Sequence, residues 1–213
     1  MNSTSKILLM VGVAGIAMMK LPAQAKDLGE GYFSKERFQV RLRGIGVFAD
    51  GNGVVDGTAL DTAVDNSFTP EVDITYFFAE HIAAELIAAT AQHTVSAGGN
   101  DLGDTWILPP TLTLQYHFTP DNKFSPYVGA GLNYSIFYAE DDATGFTDFN
   151  VKNGIGVAVQ AGFDYWINKN WGLNMDAKYI DLNVDASVNN GALNAYDVDI
   201  NPWIIGAGVS YRF

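Results

Sequence analysis

From residue 36 onward the chain alternates apolar and polar positions with a period of two, eight times over. Successive side chains of a strand point to opposite faces, so each stretch reads as a two-faced β-strand. The first, about Glu36 to Ala49, sets Phe38, Val40 and Leu42 against Gln39, Arg41 and Arg43. The second sets Val72, Ile74, Tyr76 and Phe78 against Glu71, Asp73 and Thr75; the third, from Ile82, sets Ala84, Leu86 and Ala88 against Glu85 and Ile87. The fourth opposes Leu112, Leu114, Tyr116 and Phe118 to Thr111, Thr113, Gln115 and His117. The fifth opposes Val128, Ala130, Leu132, Tyr134 and Ile136 to Gly129, Gly131, Asn133 and Ser135. The sixth pairs Ile155, Val157, Val159, Ala161, Phe163 and Tyr165 with Gly156, Gln160 and Asp164, and the seventh Trp171, Leu173, Met175, Ala177 and Tyr179 with Asn174, Asp176 and Lys178. The eighth ends the chain, with Trp203, Ile205, Ala207, Val209, Tyr211 and Phe213 on one face and Gly206, Gly208, Ser210 and Arg212 on the other. Strands of about ten residues have the length that crosses a bilayer at a tilt.

The connections alternate in length. Ala79 to His81, Thr119 to Phe124 and Asn168 to Asn170 are short, whereas Asp50–Asp65, Val95–Trp106, Glu140–Val151 and Ala186–Tyr196 are long, acidic and rich in Gly, Asn and Asp. Short periplasmic turns and long outer loops are expected of a membrane barrel with both termini in the periplasm. A soluble barrel would turn the apolar face inward instead. Three features favour the inverted arrangement. The apolar face carries aromatics at strand ends, Phe78, Phe118, Trp171, Tyr179, Trp203, Tyr211 and Phe213, with aliphatics between them, as an interfacial belt requires. So many rings would overfill an eight-stranded interior. The polar face mixes both signs of charge with glycines, which suits a packed polar lumen. The expected fold is therefore all-β: an eight-stranded antiparallel transmembrane β-barrel with short periplasmic turns and four long outer loops.

The N-terminus agrees. Lys6 precedes an apolar run from Ile7 to Met19, and Ala23-Gln24-Ala25 supplies a small-residue cleavage site. Residues 1–25 are expected to be a cleaved signal peptide, too short to span a bilayer, and residues 26–213 a single outer-membrane barrel domain. The chain has 12 basic and 24 acidic residues, which argues against nucleic acid as a partner. It has no cysteine, so an exported protein of this sequence relies on its ladder and on burial. A strand that places Val209, Tyr211 and terminal Phe213 on one face resembles the signal by which outer-membrane barrels are recognised for assembly. The expected partners are outer-membrane lipid and the barrel assembly machinery, the expected state a monomer, and the location the outer membrane of a Gram-negative bacterium.

Odd strands rise from the periplasm and even strands descend, so lumen positions can be sorted by height. Near the upper ends lie Ile45, Val47, Ile87, Ala89, Phe137, Ile180, Leu182, Pro202 and Ile204; lower down lie Arg41, Arg43, Asp73, Glu85, Gln115, His117, Asp164, Asp176, Lys178, Ser210 and Arg212. A wet pore would be polar throughout. This partition suggests an apolar pocket for small hydrophobic molecules above a salt-bridged plug; the same apolar residues could instead simply fill space. Arg41, Arg43, Lys178 and Arg212 can pair with Asp73, Glu85, Asp164, Asp176 and also Glu71, since buried charges need partners.

Catalysis has little support: the three histidines are His81 in a short turn, His93 beside a loop and His117 low in the lumen. Gly-x-Gly pairs such as Gly129/Gly131 lie inside strands with no following helix, so they bind no dinucleotide. Acid pairs such as Asp141-Asp142 lack a calcium-loop pattern. No metal or cofactor is expected.

Several blocks resemble the OmpW family of small outer-membrane barrels: Leu108-Pro109-Pro110-Thr111-Leu112, Phe124-Ser125-Pro126-Tyr127-Val128-Gly129-Ala130-Gly131-Leu132-Asn133-Tyr134, Phe163-Asp164-Tyr165-Trp166-Ile167-Asn168 with Trp171, Ile82 to Thr90, and the Tyr211-Arg212-Phe213 ending. The resemblance implies an eight-stranded barrel with a narrow apolar channel that passes small hydrophobic molecules inward. The third strand departs from the family pattern, continuing Ala91-Gln92-His93 where the family has Pro-Phe. The alternative reading is a structural or surface-interaction barrel whose loops act and whose lumen is closed.

Overall fold

The computed structural model describes residues 33–49, 52–55, 58–97, 99–143, 145, 147–188 and 193–213. The expected signal peptide lies outside them. Eight strands form the barrel wall: β1 (Phe38–Phe48), β2 (Ser67–Phe77), β3 (Ile82–Ala89), β4 (Thr111–His117), β5 (Phe124–Asp142), β6 (Gly154–Trp166), β7 (Trp171–Asp181) and β8 (Trp203–Arg212). Each pairs antiparallel with its neighbour in sequence. The first pairs with the last over ten positions, from Gln39↔Arg212 to Phe48↔Trp203. Closure leaves no free edge, the condition for a sheet to stand in lipid.

The two faces behave as the alternation requires. Along β7, Leu173 and Met175 are half exposed, whereas Asn174 and Lys178 are each 1 % exposed. Leu114, Leu132, Ile155 and Val157 likewise face outward as a lipid-facing band. Rings flank the band in contact pairs: Trp171 with Tyr211, Tyr211 with Phe213 and Tyr76 with Phe78 toward the periplasm, and Tyr179 with Trp203 at the upper side. Glycines on the inner face make room for large side chains. A Cβ on Gly162 would stand 2.6 Å from the Tyr127 hydroxyl, and one on Gly208 2.0 Å from the Leu42 carbonyl oxygen. Adding even a methyl there would push strand against strand.

The long segments expected as outer loops are largely built of further strands. Asn52–Val55 and Thr58–Val64 lie within the first, Ala91–Ala97 and Asn100–Leu108 carry the second, Asn150–Val151 the third, and Asn183–Val188 and Leu193–Asp199 the fourth. They pair with one another and with the top of β5, extending the wall upward. Their Gly, Asn and Asp content reads as loop, but backbone groups in a hairpin pair regardless of how polar the side chains are.

Candidate functional site

The lower lumen is a closed network of ion pairs. Its cations, Arg41, Arg43 and Lys178, and its carboxylates, Glu71, Asp73, Glu85, Asp164 and Asp176, are all 5 % exposed or less. Arg41 grips Asp164 with two parallel bonds, Nε to Oδ1 at 3.2 Å and Nη2 to Oδ2 at 2.9 Å. Its Nη1 reaches Glu85 Oε1 at 2.6 Å and the Thr75 hydroxyl at 2.9 Å. Arg43, two residues up the same face, places Nη2 at 2.7 Å from Glu71 Oε1 and 2.8 Å from Asp73 Oδ2, with Nη1 3.5 Å from Asp176. The planar guanidinium suits such bidentate and bridging geometry.

Neutral groups complete the network. Asp164 also accepts from Gln39 Nε2, Asn174 Nδ2 and the Ser210 hydroxyl, and Gln160 donates to Glu85 Oε2 at 2.8 Å. Tyr127 lies under the Arg41 guanidinium at 4.9 Å and donates its hydroxyl to Asp176 at 3.0 Å. Tyr127, Gln39, Gln160, Asn174, Thr75 and Thr113 were not singled out from the sequence as plug residues, although their parity points inward. Their neutral side chains gave no charge signal. His117 stands below, its ring between Phe77 and Tyr127 and its Nε2 3.0 Å from Gln115 Oε1. Arg212 stands apart from the network. It lies at the periplasmic mouth over the Trp166 ring, its Nε and Nη1 held by the Lys169 and Pro120 carbonyls. The turn carbonyls are within its reach at that end of the strand, so it seals the rim rather than joining the ion pairs.

Above the network the inner face turns apolar. Ile45, Val47, Ile87, Ala89, Phe137, Ile180, Leu182, Pro202 and Ile204 line one cavity of about 90 Å³. On the same measure one water takes roughly 10–15 Å³, so the space holds several waters or a slender chain. The strands above the band add Val64, Ala91, Val95, Leu102, Ile107, Val151, Val184, Ala186, Val198 and Ile200. None of these was foreseen, since they belong to or adjoin segments expected as loops. Lys178 and Glu71 form its floor, paired at 3.4 Å.

One seam interrupts the wall beside the cavity. The ladder between β2 and β3 ends at Glu71↔Ala89 and resumes only at Val64↔Val95. Side chains bridge the gap: the Thr69 hydroxyl donates to the Thr90 carbonyl at 2.6 Å, and His93 spans Asp65 and Ser67. The Asp65 carbonyl can only accept, so His93 Nδ1 carries the proton and Nε2 accepts from the Ser67 hydroxyl. Outward residues change here from Leu86 and Ala88 to Thr90 and Gln92, so His93 stands above the apolar band. Burial lowers its pKa below the ordinary histidine value, against the opposing pull of the Asp65 carbonyl.

A closed eight-stranded wall with a lipid-facing band, aromatic girdles and a filled lower lumen defines a small outer-membrane barrel of a Gram-negative bacterium. The OmpW family profile matches residues 34–213, and the chain belongs to that family. It is 46% identical over 182 residues to an outer-membrane protein of Sinorhizobium fredii, covering 83% of this chain and 80% of that one. It is 35% identical over 178 residues to outer membrane protein W of Vibrio cholerae, covering 77% and 82%. The crystal structure of OprG from Pseudomonas aeruginosa superposes with a TM-score of 0.74 at 32% identity, covering 83% of this chain and 95% of that one.

Proposed function

We propose that the upper lumen is a binding pocket through which small hydrophobic molecules enter from outside, and that the paired plug beneath closes the direct route to the periplasm. The supporting observation is the juxtaposition of an apolar cavity with a buried, ion-paired floor. An apolar molecule has no hydrogen bond to offer a charged network, and opening that network would leave charges buried without partners. The bilayer is the better destination. The seam between Asp65–Pro70 and Thr90–Thr94, closed by few backbone bonds, offers a sideways exit at the level of the membrane surface.

Placing Asp at Ile87 or Leu182 puts a desolvated carboxylate in the pocket. Both variants are expected to assemble and to lose uptake of apolar solutes into liposomes. Wild-type uptake rates in both would move the function to the outer strands, as a surface-interaction barrel. We further propose that Val209 and Tyr211, on the outward face of β8, and Phe213 just past its end form the assembly signal. Phe213→Ser is then expected to lower outer-membrane levels far more than Arg212→Lys does, as read by the heat-shifted mobility of folded barrels.

A further inference from the structure

The cavity has apolar walls but not an apolar floor. Its lower boundary holds Lys178 on β7, whose side chain is 1 % exposed. An ammonium carries three donors. Among the described residues this one has a single hydrogen-bond partner, Glu71 Oε2 at 3.4 Å, long for a charged pair. Glu71 is independently held, its Oε1 2.7 Å from Arg43 Nη2. The four hydroxyls that line the cavity donate elsewhere: Thr69 to the Thr90 carbonyl, Thr105 to the Trp106 carbonyl, Thr111 to the Pro109 carbonyl and Ser135 to Asn133 Oδ1. They are spent as donors, and Thr111 also accepts from Asn133 Nδ2, whereas Lys178 keeps protons unshared. A buried donor without an acceptor is costly, and an occupant that brings an acceptor removes that cost.

We propose, resting on the pocket reading above, that the site selects neutral amphiphiles, with the apolar chain among the upper residues and an acceptor oxygen, of a ketone, ester, ether or alcohol, seated on Lys178. Neutrality follows from the charges around the floor. The three cations Arg41, Arg43 and Lys178 already face the five carboxylates Glu71, Asp73, Glu85, Asp164 and Asp176. A carboxylate ligand would add another buried negative charge, and an ammonium ligand would meet Lys178 itself. An oxygen acceptor satisfies the donors without adding charge.

The test compares 2-nonanone with n-decane, equal in heavy atoms, on the refolded barrel in a carbonyl-free detergent, together with nonanoate. Lys178→Met is expected to lower the ratio of ketone to alkane affinity about tenfold, the size of one hydrogen bond to a charged donor. Taking the ratio removes the different costs of drawing the two probes from water. On the wild-type protein the carbonyl stretch of ¹³C-labelled 2-nonanone is expected at lower wavenumber than in decane solution. This arm decides the matter even if Lys178→Met fails to assemble. An unchanged ratio with the carbonyl band at its decane position overturns the head-group inference and leaves the pocket standing, because both probes still bind. Nonanoate binding more tightly than the ketone overturns the preference for a neutral head. If neither 2-nonanone nor decane binds the wild-type barrel, the pocket reading falls and this inference falls with it.

Discussion

The lower and upper halves of the lumen continue one wall with the same inward parity, the upper half with added strands, yet one is closed and the other hollow. Below, Arg41, Arg43 and Lys178 reach carboxylates on strands that are not their neighbours in the wall: Glu85 and Asp164, Asp176, and Glu71 respectively. Above, Ile45, Ile180, Leu182 and Ile204 pack against their neighbours and leave space in the middle. The difference is one of reach and partnership. A long charged side chain finds its minimum only when its terminus meets a partner, so charges of both signs draw the lumen shut. A branched aliphatic chain is satisfied by contact along its flank and asks for nothing beyond it. The same wall can therefore carry a seal and a pocket, according to which side chains point inward at each height.

This contrast can be broken from either side. The largest effect is expected for Arg41→Ala, which leaves Asp164 and Glu85 buried without their main partner; removal of one member of a buried ion pair costs about 3–5 kcal/mol. Urea unfolding of the refolded barrel should show it. Leu182→Ala, on the cavity wall, should cost about 2 kcal/mol, the low end for a buried leucine, because the site already borders space. If the two losses were equal, the halves would not differ in how tightly they are specified. The double change Arg43→Ala with Asp73→Ala removes a cation and a carboxylate together. It is expected to raise leakage of small polar solutes from liposomes while leaving apolar uptake unaccelerated. Faster apolar uptake would mean that the plug lies on the transport route.

The smallest effect concerns the seam. Burial lowers the His93 pKa in the folded barrel, so its contribution is present above the unfolded value of about 6.5 and is lost as pH falls through the folded one. Protection of the Thr94 and Val95 amides, relative to their intrinsic exchange rates, should therefore fall in acid more in the wild type than in His93→Gln. Equal acid responses would show that the histidine does not hold the seam.

How far each half could be read from the chain differs as well. Strand parity placed Arg41, Asp73, Glu85, Asp164 and Lys178 inside, and Ile45, Ile87, Ile180 and Leu182 inside and higher, because a period of two is a local property of the backbone. Parity does not say which residues meet across the barrel. That Arg41 takes Asp164, 123 residues away, and that Tyr127 lies beneath it, depends on the strand register around the closed wall. Arg212 shows the same limit: it shares inward parity with Ser210, yet its height leaves it among turn carbonyls.

The sequence by itself determined the strands, their faces, the order of short and long connections and the family. These follow from residue-by-residue polarity and from solvation by lipid on one side only. Tertiary structure decided that the long acidic segments would continue the wall, and so supply Val95, Leu102, Val184 and Val198 to the cavity. It also decided that the ladder would lapse between Glu71 and Val64, with His93 across the gap. Polar residues are equally at home in a loop and on an exposed hairpin, so their pattern is silent there; only the pairing of backbone groups between distant segments chooses between the two.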